Sequence, residues 1–250
     1  MCYHYLFNGI NNGKIASLGP YSPAVAVAKY GYLGVDLFFL ISGFVVFNSA
    51  RGKTARQFAV GRAVRLFPAL WVAVLLTSAI TLIWGSVSSF SVTVPQVIVN
   101  FTMIPGLLGV ASVDGVYWTL LVELEFYALV FIFLLIGNGH RLGQALPWWA
   151  FVMLAVSIFV PQLAEWPQLG GYCALFAAGA IIAEIHRAGI TPIRMLGLAA
   201  SLWATLRFVV VHARELTETK GIYHSPVLVV LVVAYVSVRS LRSDGHASRH

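Results

Sequence analysis

The sequence predicts an all-α fold, a polytopic bundle of transmembrane helices with about seven full spans and a partial one at the amino terminus. Three observations predict it. The chain is 59% hydrophobic and only 10% charged, with a mean hydropathy of +0.84; a soluble protein of 250 residues needs far more polar surface to cover its core. The apolar residues come in continuous runs, not in the period-two alternation of a membrane barrel. Gly, Pro, Asn and charged residues separate the runs. With no internal repeat and no low-complexity stretch, residues 1–238 read as one integral-membrane domain and 239–250 as a polar cytoplasmic tail.

The elements are taken in chain order. Residues 1–7 (MCYHYLF) are apolar but too short to span, and they lack the basic start and cleavage site of a signal peptide. They read as the outer end of a helix whose first half is missing, so the domain is expected to be incomplete at its start. Runs at 33–50, 66–85, 116–136, 147–164, 169–185, 195–211 and 223–238 come next. Most are near the roughly 20 residues that cross a core of about 30 Å; the last is short. Backbone groups in lipid must pair within their own segment, so each run should be a helix. Residues 92–111 are moderately apolar but interrupted by Pro95, Asn100, Pro105, Gly106 and Gly109. They are expected to form an outer-face loop, partly helical, with a re-entrant path as the alternative.

Charge sets the orientation. If 33–50 runs from outside to inside, the inner segments hold eleven of the sixteen Lys and Arg residues, from Arg51 and Lys53 to Arg249, and the outer ones hold Lys14, Lys29, Arg214 and Lys220. Arg207 lies within a helix. This positive-inside bias explains the net charge of +7 as topology and anionic lipid; no basic–aromatic nucleic-acid motif is present.

Ionisable residues inside apolar runs carry the functional signal. GVDLFFLISGF (34–44) places Asp36 there, and WTLLVELEFY (118–127) places Glu123 and Glu125. Arg62 and Arg65 stand at the expected mouth of the 66–85 helix, where a helix N-terminus favours anions. Thr119, Glu123 and Tyr127 share one helical face at i, i+4 spacing, with Trp118 beside it. Glu125 points elsewhere and needs a buried partner or its proton. At about 1.5 Å per residue, Glu123 is about 10 Å below the outer boundary, Arg207 about 8 Å and His4 about 5 Å. A histidine, a carboxylate and an arginine can thus meet in the outer half of the membrane, with the arginine pair about 20 Å away across the core.

Each residue has a plainer reading. Arg62 and Arg65 can be stop-transfer charges, His4 an interfacial histidine, Asp36 a favourable helix-start charge. Arg207 either pairs or snorkels. Ser42–Gly43 reads as a close-packing point between helices, and Trp148, Trp149 and Trp166 as interfacial anchors. Cys2 and Cys173 read as packing residues, not a disulfide. His246 and His250 are a weak metal signal, and no metal site is expected. No GxSxG elbow, Walker loop, HExxH or GxGxxG occurs.

Gly34, Asp36, Phe38, Phe39, Ser42, Gly43 and Phe44 resemble the GVDLFFxxSGF stretch of the membrane acyltransferase-3 family. Arg62 and Arg65, with Pro68 after them, resemble its R-x-x-R element. Trp118, Leu120, Glu123, Phe126 and Tyr127 resemble its WxLxxExxFY element, and His4 its first-helix histidine. The resemblance covers about residues 1–130, with the motifs in order. It implies O-acylation of sugars or cell-surface polysaccharide precursors from an acyl-CoA donor, at a bacterial inner membrane. His4 would be the general base and Glu123 its partner. Arg62 and Arg65 would bind donor phosphate. Trp118 and Tyr127 would stack on a sugar face, with Asp36 and Arg207 as further substrate contacts. The alternatives are a transporter or export component whose buried charges line a substrate path, and an inactive fragment of the family.

Overall fold

The structure, a computed structural model, describes residues 33–88, 92–137, 139–160, 162 and 171–220. The expected partial helix at 1–7, the run at 223–238 and the tail at 239–250 lie outside them. Among the described residues there are seven α-helices and no strand: α1 (Leu33–Ala50), α2 (Ala55–Ser88), α3 (Val94–Asn100), α4 (Trp118–Leu135), α5 (Leu142–Phe159), α6 (Gly171–Ala188) and α7 (Pro192–Lys220). Short 3-10 turns occupy Pro105–Leu108 and Gly139–Arg141. Five of the helices (α1, α2, α4, α5 and α7) are long and apolar enough to cross a membrane, and the chain is an integral membrane protein. The expected span at 169–185 is the helix α6, but it is not among the five: Glu184, His186 and Arg187 in its last turns dilute its apolar character.

The described residues divide into two units, Ser49–Leu142 and the remainder. In the second of these, α6 is the centre. From Tyr172 to Ile185 every residue is buried. Its sequence is rich in alanine and glycine, and small residues let helix backbones approach where lipid supplies no hydrophobic drive for association. The approach to α1 is reciprocal. A side chain on Gly179 would meet the Leu40 carbonyl, and one on Gly43 would meet the Phe176 carbonyl. Ser42–Gly43 is thus a packing point, as its sequence suggests. Phe39 fills the adjacent space, with ring centroids 4.7 Å from Tyr172 and 5.1 Å from Phe176. A second close approach joins α7 to α5: a Cβ on Gly197 would lie 2.7 Å from the Pro147 Cα.

The turn from α6 to α7 is locked by charge. Glu184 is only 3% exposed. Its carboxylate accepts from Arg187 Nη2 at 2.7 Å and Nε at 3.2 Å, and from Arg194 Nη2 at 3.1 Å. Arg194 Nη1 also donates to the carbonyls of Ala188 and Gly189, at 3.0 and 2.7 Å. The arginine thereby satisfies carbonyls that the end of α6 leaves unpaired.

In the unit Ser49–Leu142, α2 begins eleven residues before the expected 66. The reason is a capping box: Gln57 N–H donates to Thr54 Oγ1 (3.2 Å) while Thr54 N–H donates to Gln57 Oε1 (3.0 Å). Pro68 lies inside this helix and removes one of its internal hydrogen bonds. Leu70 and Val74 pack with Met103 and Tyr117, and Leu66, Phe67, Leu120 and Leu124 border them. Phe58, near the start of α2, meets Tyr127, well along α4. The two helices therefore run antiparallel.

The 92–111 segment is folded and partly helical, as expected. Its helix α3 has seven residues, about 10 Å of length, and cannot cross a bilayer. Buried Asn100 ties the end of α3 to the strand-free stretch leading into α4: its amide donates to the carbonyls of Gln96 (2.8 Å) and Ala111 (3.2 Å), and its oxygen accepts from Val113 N–H (3.0 Å). Trp71 Nε1 ties α2 to this segment through the Phe101 carbonyl at 3.2 Å.

The glycine contacts can be tested by size. Gly179→Ala should destabilise the protein by about 1–3 kcal/mol, the usual cost of overpacking. Gly34→Ala, at a position with nothing within 4 Å, should be neutral or stabilising by at most about 1 kcal/mol. Thermal unfolding in detergent compares them; equal midpoints would contradict the close approach.

Candidate functional site

The α4 helix builds the site. Its buried residues Thr119, Val122, Glu123, Phe126, Tyr127, Val130 and Leu134 recur at three- and four-residue spacing, one continuous face. Glu123 and Tyr127 are adjacent on that face, one turn apart, and are 3% and 4% exposed. The Tyr127 hydroxyl donates to Glu123 Oε1. Glu125 is turned away from them, as the helical period requires, and its Oε2 is buried with no hydrogen-bond partner among the described residues.

The third member comes from α2. The Arg62 guanidinium carbon is 5.6 Å from the centre of the Tyr127 ring and 5.9 Å from that of Phe58. Phe58 stands edge-on to Tyr127 at 6.1 Å. Arg62 is thus held by two aromatic faces, a cation–π arrangement, and is half-buried. Its Nη1 is fully buried and has no hydrogen-bond partner among the described residues. Glu123, Tyr127 and Arg62 form one polar cluster between two apolar helices.

This corrects three expectations. Arg62 is not across the membrane core from Glu123; antiparallel packing brings α2 past Tyr127, and Tyr127 is one turn from the carboxylate. Neither arginine is at a helix N-terminus, because α2 starts at Ala55; Arg62 and Arg65 are about two and three turns in, beyond the reach of the terminal dipole. Tyr127 does not offer its face for stacking on a sugar, since Phe58 and Arg62 occupy its surroundings.

The other candidates are spread over both units. Arg65 is exposed. Trp118 opens α4 and is 40% exposed. Asp36 is in the first turn of α1, is 7% exposed and lies within electrostatic reach of the Tyr172 hydroxyl. Arg207 is exposed and donates through Nη2 to the Ser157 carbonyl at 3.4 Å. That carbonyl is in the last turn of α5, where helix geometry leaves it unpaired, so Arg207 caps a neighbouring helix. His4 lies outside the described residues. Cys173 is buried in α6.

Sequence reading missed the part Phe58 plays and the Arg62–Tyr127 contact. The signal that would have found both is Thr54-x-x-Gln57, the capping box that starts α2 early and so sets Phe58 and Arg62 one turn apart on a helix.

Comparison with known proteins gives a family. A model of an acyltransferase domain family matches residues 1–247. Nodulation protein 10 of Rhizobium leguminosarum bv. viciae is 36% identical over 131 residues, 45% of this chain and 36% of that protein. Exopolysaccharide production protein ExoZ of Rhizobium meliloti (strain 1021) is 29% identical over 164 residues, 61% of this chain and 43% of that protein. The matches thus span less than half the length of these curated relatives. No solved structure matches the chain.

Removing the Tyr127 hydroxyl isolates its hydrogen bond. Tyr127→Phe keeps the ring against Phe58 and should lower stability by about 1–3 kcal/mol, the range for leaving a buried polar group short of a partner. An unchanged unfolding midpoint in detergent would show that Glu123 does not depend on this donor.

Proposed function

The chain belongs to the acyltransferase domain family, and from that premise we propose that it is a membrane-bound O-acyltransferase moving an acyl group from acyl-CoA to a hydroxyl of a sugar or cell-surface polysaccharide precursor. The observation that carries this reading is the buried Glu123–Tyr127–Arg62 cluster. A carboxylate and a guanidinium placed together between lipid-spanning helices are expensive unless they serve a purpose. The name of the relative ExoZ, an exopolysaccharide production protein, supports a saccharide acceptor. The rhizobial relatives support a bacterial inner membrane.

In this reading the acceptor hydroxyl oxygen attacks the thioester carbonyl carbon. A C–O bond forms, the C–S bond breaks, and the hydroxyl proton passes through a base to the departing thiolate. His4 is the proposed base. Glu123 orients the imidazole or the acceptor. The cationic early turns of α2, with Arg65 exposed on them, attract the phosphates of the donor through charge-assisted hydrogen bonds. Trp118, in the first turn of α4, is the proposed aromatic contact for a sugar ring. Asp36 and Arg207 remain proposed acceptor contacts; Arg207 also caps the end of α5.

The test is transfer of radiolabelled acetyl from acetyl-CoA to a bacterial exopolysaccharide oligosaccharide by the purified protein in liposomes. Glu123→Gln should lower kcat by about 10²-fold or more if the carboxylate assists proton transfer. Arg65→Gln should raise the donor KM by roughly tenfold, the worth of one charge-assisted hydrogen bond. Transfer absent in the parent protein, with saccharide moving across the bilayer instead, would replace the enzyme with an export component.

A further inference from the structure

We propose that the two arginines of the R-x-x-R pair have different partners: Arg62 is a positioning residue that holds Tyr127 and, through it, the Glu123 carboxylate, whereas Arg65 alone is presented to the donor. The proposal rests on the acyltransferase reading above for its kinetic consequences, but its structural content stands apart from it.

The geometry separates the two side chains. Three residues along a helix amount to about 60° of rotation and 4.5 Å of rise, so the two are neighbours on the surface of α2, and burial tells them apart. Arg62 faces α4, half-buried and flanked by Tyr127 at 5.6 Å and Phe58 at 5.9 Å. Arg65 is exposed. A guanidinium wedged between two rings is poorly placed to close a fork on a mobile phosphate. It is well placed to orient a phenol, and the phenol in question already donates to Glu123. The chain of contacts therefore runs Arg62, Tyr127, Glu123, across two helices.

The cation also matches its surroundings electrostatically. Within the apolar α2–α4 pair, the Glu123 carboxylate needs positive charge nearby, and Arg62 bears electrostatically on the same Tyr127 hydroxyl that binds the carboxylate. Nη1 of Arg62 is buried without an acceptor among the described residues. The cluster thus keeps one unused donor.

The roles predict different kinetics and one spectroscopic mark. With acetyl-CoA as the donor, Arg62→Gln should lower kcat by about tenfold with donor KM within about twofold, whereas Arg65→Gln should do the reverse. Arg62→Lys, which keeps the charge, should recover part of the kcat and guards against a variant that fails to fold. Adding Arg62→Gln to Tyr127→Phe should cost less than about twofold more, because both act through one contact. The infrared band of the Glu123 carboxyl, identified by its loss in Glu123→Gln with isotope-labelled glutamate, should shift in Arg62→Gln and Tyr127→Phe but not in Arg65→Gln. A donor KM that rises in Arg62→Gln as in Arg65→Gln, or a Glu123 band that Arg62→Gln leaves in place, would overturn the proposal. If the parent protein transfers no acyl group, the acyltransferase reading fails, and the infrared comparison still decides this one.

Discussion

A carboxylate buried among apolar helices must find a donor or keep its proton, and this requirement acts in both units of the chain. Two buried glutamates meet it in different ways. Glu184 has its oxygens engaged by Arg187 and Arg194, and Arg194 also closes the end of α6. That network is saturated and its effect is to fix a turn. Glu123 is paired with a tyrosine whose other neighbour is an arginine with a nitrogen to spare. A network that is complete resists change, and one with an open donor can accept a visitor.

The scaffold depends on small residues. Where solvent is hydrocarbon, helices gain little from hiding leucine and must gain from contact distance. Gly43 and Gly179 let α1 and α6 touch backbone to backbone, and the aromatic cluster of Phe39, Tyr172 and Phe176 fills the adjacent space. Asp36 rides on the same helix, one turn before Phe39 and Leu40, so its position is set by the glycine contact as much as by its own chemistry.

Much of this was legible in the sequence. The limits of α1, the separation of Glu123 from Glu125, the packing use of Gly43 and the folded, partly helical 92–111 segment all follow from period, residue size and punctuation. The start of α2 was not legible from hydropathy. Its first eleven residues include Arg56, Arg62 and Arg65 and look like a loop when only apolar runs are followed. Their helical state is declared by Thr54 and Gln57 instead, a local hydrogen-bond signal independent of apolarity. Once the helix is lengthened, Arg62 moves from the membrane surface to the side of Tyr127. The expected seventh span and His4 fall outside the described residues.

The 34 residues of α2 amount to about 51 Å of helix, while a bilayer core is about 30 Å thick. The surplus has to be absorbed by tilt or by protrusion. Either way, the depth of the first turns of α2, which carry Arg56, Arg62 and Arg65, depends on the host lipid as well as on the polypeptide. A thicker bilayer covers more of that stretch and a thinner one leaves more of it in water, so bilayer composition sets how much of the arginine-bearing segment is wetted.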